Sequence, residues 1–79
     1  MVTLQDAKRN IPVKIKSLLE SDELTCRLQE LGFLPGTLIQ LTNKLPFNGP
    51  IAVLVQGAKI ALRHEDAARV LVEPLPLGI

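Results

Sequence analysis

The sequence predicts a mainly β fold: a small five-stranded barrel with one α-helix inserted between the first and second strands and a short helical turn before the last. Short segments with alternating apolar and polar residues recur between glycine and proline turns. One segment has helical spacing and ends at a glycine. Five short strands would leave costly unpaired edges in an open sheet, so a closed or half-closed barrel is favoured.

The first strand is expected over residues 11–18, where Ile11, Val13 and Ile15 would share the buried face and Lys14 and Lys16 would face water. A proline at position 12 fits only near the start of a strand or on a sheet edge. This segment is therefore predicted to be the first strand.

The helix is expected to begin at Ser21 or Asp22, since either side chain can cap the first turn. Its buried stripe would consist of three leucines at helical spacing, Leu24, Leu28 and Leu31. Gly32 predicts the end of the helix, and Phe33 or Leu34 is expected to pack beneath it.

The remaining elements follow from turn residues and β-branched runs. Gly57 and Ala58 are expected to form a hairpin loop, with Gly57 at positive φ. Thr3 is expected to cap a short turn over residues 3–7. We predict strands over residues 37–44, 51–55, 59–63 and 70–72, a helical turn over 64–68, and a mobile tail over 74–79, within one domain spanning residues 1–79 with a core over about 3–73.

Composition excludes several classes of function. Nine basic and eight acidic side chains give a net charge of +1, and aromatic residues are 3% of the chain, so nucleic-acid binding is not expected. The single cysteine fits a reducing compartment. No secretory signal and no apolar run of about 20 residues is found, so a cytoplasmic location is expected.

Catalysis is not predicted, because a nucleophile needs a base within reach and only Cys26 and His64 could form such a pair. Cys26 is expected on the solvent side of the helix, and nothing in the sequence brings His64 to it. No resident metal site is predicted. His64, Glu65 and Cys26 are the nearest candidates for an Fe²⁺ or Zn²⁺ site, at a surface position completed by a neighbouring molecule.

The order of the motifs resembles the FeoA family, ferrous iron transport protein A. The likeness spans about residues 3–73, and its motifs are the helix end Leu31-Gly32-Phe33-Leu34-Pro35-Gly36, the turn Pro46-Phe47-Asn48-Gly49-Pro50 and the strand Ile60-Ala61-Leu62-Arg63. The resemblance implies an SH3-like barrel. It also implies a small cytoplasmic accessory protein of ferrous iron uptake.

The partner implied by the resemblance is the cytosolic part of the ferrous iron permease, ferrous iron transport protein B, so contact with the membrane would be indirect. The chain lacks a phosphate-binding loop of its own. The same module also forms the C-terminal domain of iron-dependent repressors. The resemblance therefore implies, as an alternative function, a metal-binding carrier or sensor. No DNA-binding segment precedes the module here, which disfavours a repressor.

Contact with the partner is expected from exposed residues of the motif loops and the second strand, namely Leu34, Pro35, Leu38, Phe47 and Asn48. Leu38 lies on the strand face opposite the predicted core residues Ile39 and Leu41. A basic cluster over Lys8, Arg9, Lys14 and Lys16 is either a solvated face or a steering patch for an acidic partner. An exposed edge strand or Cys26 could also support a homo-oligomer.

Overall fold

The structure, a computed structural model, describes residues 2–75. It confirms the predicted order of elements: five strands, a helix between the first two and a helical turn before the last. The elements are a 3-10 helix (Leu4–Asp6), β1 (Val13–Leu18), α1 (Glu23–Glu30), β2 (Leu38–Lys44), β3 (Ile51–Val55), β4 (Ala58–Leu62), α2 (His64–Ala67) and β5 (Val70–Pro74).

All strand pairs are antiparallel, and the order across the sheet is β4-β3-β2-β1-β5. Within residues 2–75 no ladder joins β4 to β5, so the sheet is not closed, and the half-closed form of the predicted barrel fits better than the closed one. The N-terminus covers the outer edge of β5 instead. Thr3 forms a bridge with Leu71, and the Val72 N–H donates to the Val2 carbonyl at 2.9 Å. Covering an edge in this way protects it from pairing with other chains.

The core lies on one face of the sheet and is almost wholly aliphatic. The exception is Phe33, which is fully buried and packs with Leu28 of α1 in the same cluster. Phe33, and not Leu34, therefore fills the space beneath the helix. The other buried apolar residues are Leu4, Val13, Ile15, Ile39, Leu41, Ile51, Val53, Val55, Leu62, Ala67, Val70 and Val72.

Asp22 is the N-cap of α1, and its carboxylate accepts the Thr25 N–H at 3.1 Å. The helix ends as predicted at Gly32, which has φ +107°. The Gly32 N–H donates to Gln29 and the Phe33 N–H to Leu28, the hydrogen bonds of a Schellman cap. Leu31 does not complete the buried stripe: it lies at the C-cap and is 43% exposed, because the helix is one residue shorter than the leucine spacing requires.

Arg69 bridges the N-terminus of α1 to the start of β5 by pairing with Asp22 at 2.5 Å and with Glu20 at 3.3 Å. The hydrogen bond from Arg69, followed by that from the Thr25 N–H, holds the pKa of Asp22 below its ordinary value. A carboxylate with a lowered pKa in the folded state adds stability above its unfolded pKa and loses it as the pH falls through the folded pKa.

We therefore expect acid to destabilise the wild type more steeply than Asp22→Asn, which keeps a capping side chain but cannot titrate. Urea unfolding at pH values from 6 down to 2.5 measures this. Above about pH 5 the difference in stability between the two proteins should be constant, and it should shrink below pH 4. A difference that stays constant across the whole range would contradict this role for Asp22.

Two strand boundaries differ from the prediction. β1 begins at Val13, which is the first residue to pair with β2, and Ile11 is exposed and does not share the buried face. Pro12 has no N–H to donate, so the ladder begins after it. The hairpin loop consists of Gln56 and Gly57, not Gly57 and Ala58, because Val55 and Ala58 are paired and both loop residues have positive φ.

β5 is longer than predicted, since its ladder continues until Pro74 faces Val13. A proline can occupy the end of an edge strand, where the missing N–H costs no ladder bond. Pro74 therefore belongs to β5 and not to the predicted tail over 74–79, of which residues 76–79 lie outside the described part. Near the N-terminus Thr3 precedes the 3-10 helix, but its hydroxyl donates to the Asp6 carboxylate at 3.3 Å and does not cap the backbone.

Candidate functional site

The candidate metal ligands lie on the two helices. Cys26 is exposed on α1, while His64 and Glu65 open α2. Two polar groups at the start of α2 already have hydrogen-bond partners. The His64 carbonyl accepts from the Gln5 side chain at 2.9 Å, and the Asp66 carboxylate accepts the Arg63 N–H at 3.3 Å. Within residues 2–75 no three His, Cys, Asp or Glu side chains are grouped so that they could hold a metal ion.

The five candidate contact residues fall at the two ends of β2. Leu34 and Pro35 enter the strand through a turn in which the Thr37 N–H donates to the Leu34 carbonyl at 3.0 Å and Gly36 has φ +90°, as expected for Pro-Gly. Leu38 is the first residue of the strand. Phe47 and Asn48 follow its last residue, Lys44, after about 20 Å of strand. The structure therefore does not unite the five residues in one site.

Leu38 lies in an apolar groove on the face of the sheet opposite the core. The groove has a volume of about 260 Å³ and is lined by Pro12, Leu38, Ile39, Gln40, Leu54, Gln56 and Gly57. Leu38 is 53% exposed and Leu54 36% exposed, unusually open for leucines in the middle strands of a sheet. Ile11, just before Pro12, is 50% exposed.

Three residues of this apolar surface were missed by sequence reasoning: Ile11, Pro12 and Leu54. The alternation in the sequence predicts Ile11 on the buried face, whereas it is exposed. Leu54 carried a usable signal, because it alternates with the buried residues Val53 and Val55 and so must face outwards. Its proximity to Leu38 depends on the register, which pairs Gln40 with Leu54 and makes Leu38 and Leu54 diagonal neighbours.

Phe47 stands at the tip of the loop between β2 and β3 and is 98% exposed. The Gly49 N–H donates to the Pro46 carbonyl at 3.1 Å and closes a four-residue turn. Its central residues Phe47 and Asn48 have φ of +59° and +58°, as in a type I′ turn. Asparagine and glycine usually occupy these positions, so phenylalanine is strained there.

Phe47→Asn is therefore expected to raise the free energy of unfolding by about 1 kcal/mol, since asparagine tolerates the left-handed region better than phenylalanine. Urea unfolding measures the change. Phe47→Ala is the matched control, because it removes the same exposed ring without favouring the turn. Equal stabilisation by alanine would show that the turn conformation is not the cause.

A family model described as the FeoA domain matches residues 2–74. The chain belongs to the FeoA family. The resemblance read from the motifs is thus confirmed, and with it the family's association with ferrous iron transport. A search of curated proteins gives no significant match.

Solved structures agree with this membership. Iron(II) transport protein A from Clostridium thermocellum is 31% identical with a TM-score of 0.88, over 94% of this chain and 46% of that one. FeoA from Stenotrophomonas maltophilia, an SH3 domain protein crystallised with zinc, is 31% identical with a TM-score of 0.82, over 92% of this chain and 91% of that one. The SH3-like fold class is therefore confirmed for this FeoA-family chain.

A more distant likeness extends the fold to larger proteins. The structure of ScaR with bound Zn²⁺ is 23% identical with a TM-score of 0.84, over 95% of this chain and 37% of that one. At this identity the likeness shows the fold alone. Within residues 2–75 of this FeoA-family chain, no helix has the length and apolar character needed to cross a membrane.

Proposed function

We propose that this FeoA-family chain is a cytoplasmic accessory protein of ferrous iron uptake that acts by binding the cytosolic part of the ferrous iron permease. In this proposal the chain carries out no catalysis. Its contribution is a binding free energy that favours one state of the permease over another.

Two findings support a role in transport. The matched family is associated with ferrous iron transport, and the Stenotrophomonas maltophilia relative is described as a candidate activating factor for bacterial ferrous iron transport. Contact with the transporter and contact with its substrate are the two direct routes by which a small domain can influence transport. Contact with the transporter fits the surface of this chain better.

The observation that carries the proposal is the apolar groove around Leu38. Outward-facing positions of a sheet with one solvated face are normally polar, yet this one presents two exposed leucines beside a proline. Contiguous exposed apolar surface on a small soluble domain marks an interaction site more often than chance. Leu34 and Pro35 precede the same end of β2, whereas Phe47 and Asn48 form a separate exposed tip at the other end.

Ferrous uptake in cells tests the proposal. We expect deletion of the gene to change the initial rate of ⁵⁵Fe²⁺ uptake under iron limitation, and the wild-type gene on a plasmid to restore it. A strain that lacks the permease gene provides the control, because deleting this chain's gene should have no further effect there. Unchanged uptake in the permease-containing strain would contradict the proposal.

A second candidate function, a metal-binding carrier or sensor, is favoured by the zinc in the Stenotrophomonas maltophilia crystal. For this chain the ligands would be His64, Glu65 and Cys26, completed by another molecule at the surface. Anaerobic titration with Fe²⁺ or Zn²⁺ separates the two functions. Micromolar affinity that is lost in both His64→Ala and Cys26→Ser would favour the sensor.

A further inference from the structure

The apolar groove is built from two rows of side chains that run across the strands on the outer face. In the first row Leu54 of β3 stands between Gln40 of β2 and Lys59 of β4. In the second row Leu38 of β2 stands beside Lys14 of β1. Each exposed leucine therefore has a lysine as its cross-strand neighbour on the outer side of the groove: Leu38 has Lys14, and Leu54 has Lys59.

The two lysines make the rim of the groove positive. The residues that line the groove include no charged side chain, and Lys14 and Lys59 stand at opposite corners of it. The one acid in cross-strand register with them is Glu73, which faces Lys14 from β5, on the side away from Leu38. Within residues 2–75 the salt bridges involve only Arg69, so Lys14 and Lys59 form none, although Glu73 offsets part of the positive charge at the Lys14 corner.

This charge arrangement argues for one kind of occupant. A second copy of the chain docked about a two-fold axis would bring lysine rims close to one another, which is repulsive. A nucleic acid would meet no aromatic side chain in the groove on which a base could stack. A protein segment with apolar side chains between acidic ones would make apolar contacts with the two leucines and attractive charge contacts with the two lysines.

We propose that the groove binds an amphipathic segment of the partner, in which two apolar side chains contact Leu38 and Leu54 and flanking carboxylates meet Lys14 and Lys59. Three strand spacings and one two-residue step along the strands separate Lys14 from Lys59, so the carboxylates stand on the order of 16 Å apart. An extended segment spans that distance in about five residues and a helix in about eleven. Placing this segment on the permease rests on the proposed function.

Binding of the full chain to the purified cytosolic part of the permease tests the charges. We expect Lys14→Glu with Lys59→Glu to weaken binding at least tenfold in 50 mM salt and by much less in 500 mM salt, where surface charges are screened. Arg27→Glu with Arg63→Glu is the matched control, since it makes the same charge change at exposed residues of α1 and just beyond the far end of β4, outside the groove lining, and it should alter the affinity less than threefold. Lys14→Gln with Lys59→Gln avoids a new repulsion with Glu73 and should give a smaller loss in the same direction.

Synthetic peptides test the groove without the permease. One 14-residue peptide would carry two leucines flanked by glutamates, and its twin would carry lysines in place of the glutamates. In NMR titrations we expect only the glutamate peptide to shift the methyl signals of Leu38 and Leu54. Equal shifts with both peptides, or none with either, would overturn the inference.

The two arms also separate the inference from the proposed function. Failure of the wild-type chain to bind the permease part, together with a response to the glutamate peptide, would refute only the proposed partner. Wild-type binding to the permease part that the groove lysine variants leave unchanged would refute only the inference.

Discussion

Replacing both Leu38 and Leu54 by glutamine is expected to weaken binding to the cytosolic part of the permease by roughly 30-fold or more, the loss typical of truncating an apolar contact at the centre of an interface. Both side chains are already exposed in the free chain. Their replacement should therefore change the free energy of unfolding by only about 0.5 kcal/mol. Calorimetric titration measures the affinity, and urea unfolding measures the stability.

Leu31→Gln is the matched control for this pair. Leu31 is exposed to a similar degree, but it lies at the C-cap of α1 and is no part of the groove. It should leave the affinity unchanged. Equal losses in Leu31→Gln and in the groove variant would mean that general surface hydrophobicity, and not the groove, drives the association.

Phe33→Ala is expected to unfold most of the protein at 37 °C. Removing a fully buried phenylalanine costs about 3–5 kcal/mol, because the lost burial is joined by an unfilled cavity. A domain of this length rarely has more than about 3–5 kcal/mol of net stability. The change also removes the contact of Phe33 with Leu28 that accompanies the Schellman cap of α1.

Circular dichroism and thermal unfolding measure this loss. Leu34→Ala, at the next position along the chain, is the control: Leu34 is exposed, so its truncation should cost less than about 1 kcal/mol. Cooperative unfolding of Phe33→Ala near the wild-type midpoint would contradict the account of the core. A milder variant, Phe33→Leu, should fold and lie between the two.

The elements of the fold could be predicted because their signals are local. Gly32, Gly36 and Gly57 each occupy a positive-φ position that the turn around them requires. The alternation in β2 and β3 likewise separates buried from exposed side chains without knowledge of their neighbours. These signals also carried the family resemblance, since the helix end and the turns form its motifs.

The predictions that were wrong or incomplete concern features that depend on pairing between segments distant in sequence. Ile11 alternates correctly with Val13 and Ile15, but the ladder with β2 begins only after Pro12. Pro74 reads as a strand breaker, yet the edge position of β5 accommodates it opposite Val13. Only part of the groove could be predicted, for the same reason. The alternation in β2 predicts that Leu38 is exposed, but the position of Leu54 beside it follows only from the β2–β3 register.

The most direct test of the account is an NMR titration of the ¹⁵N-labelled chain with the purified cytosolic part of the permease. The groove predicts that amide shifts or line broadening will concentrate on the outer-facing positions of β1 to β4, centred on Leu38 and Leu54. The turn at Phe47 and the exposed side of α1 around Cys26 should change little. Spectra that stay unchanged at saturating partner, or changes confined to α1 and α2, would contradict it.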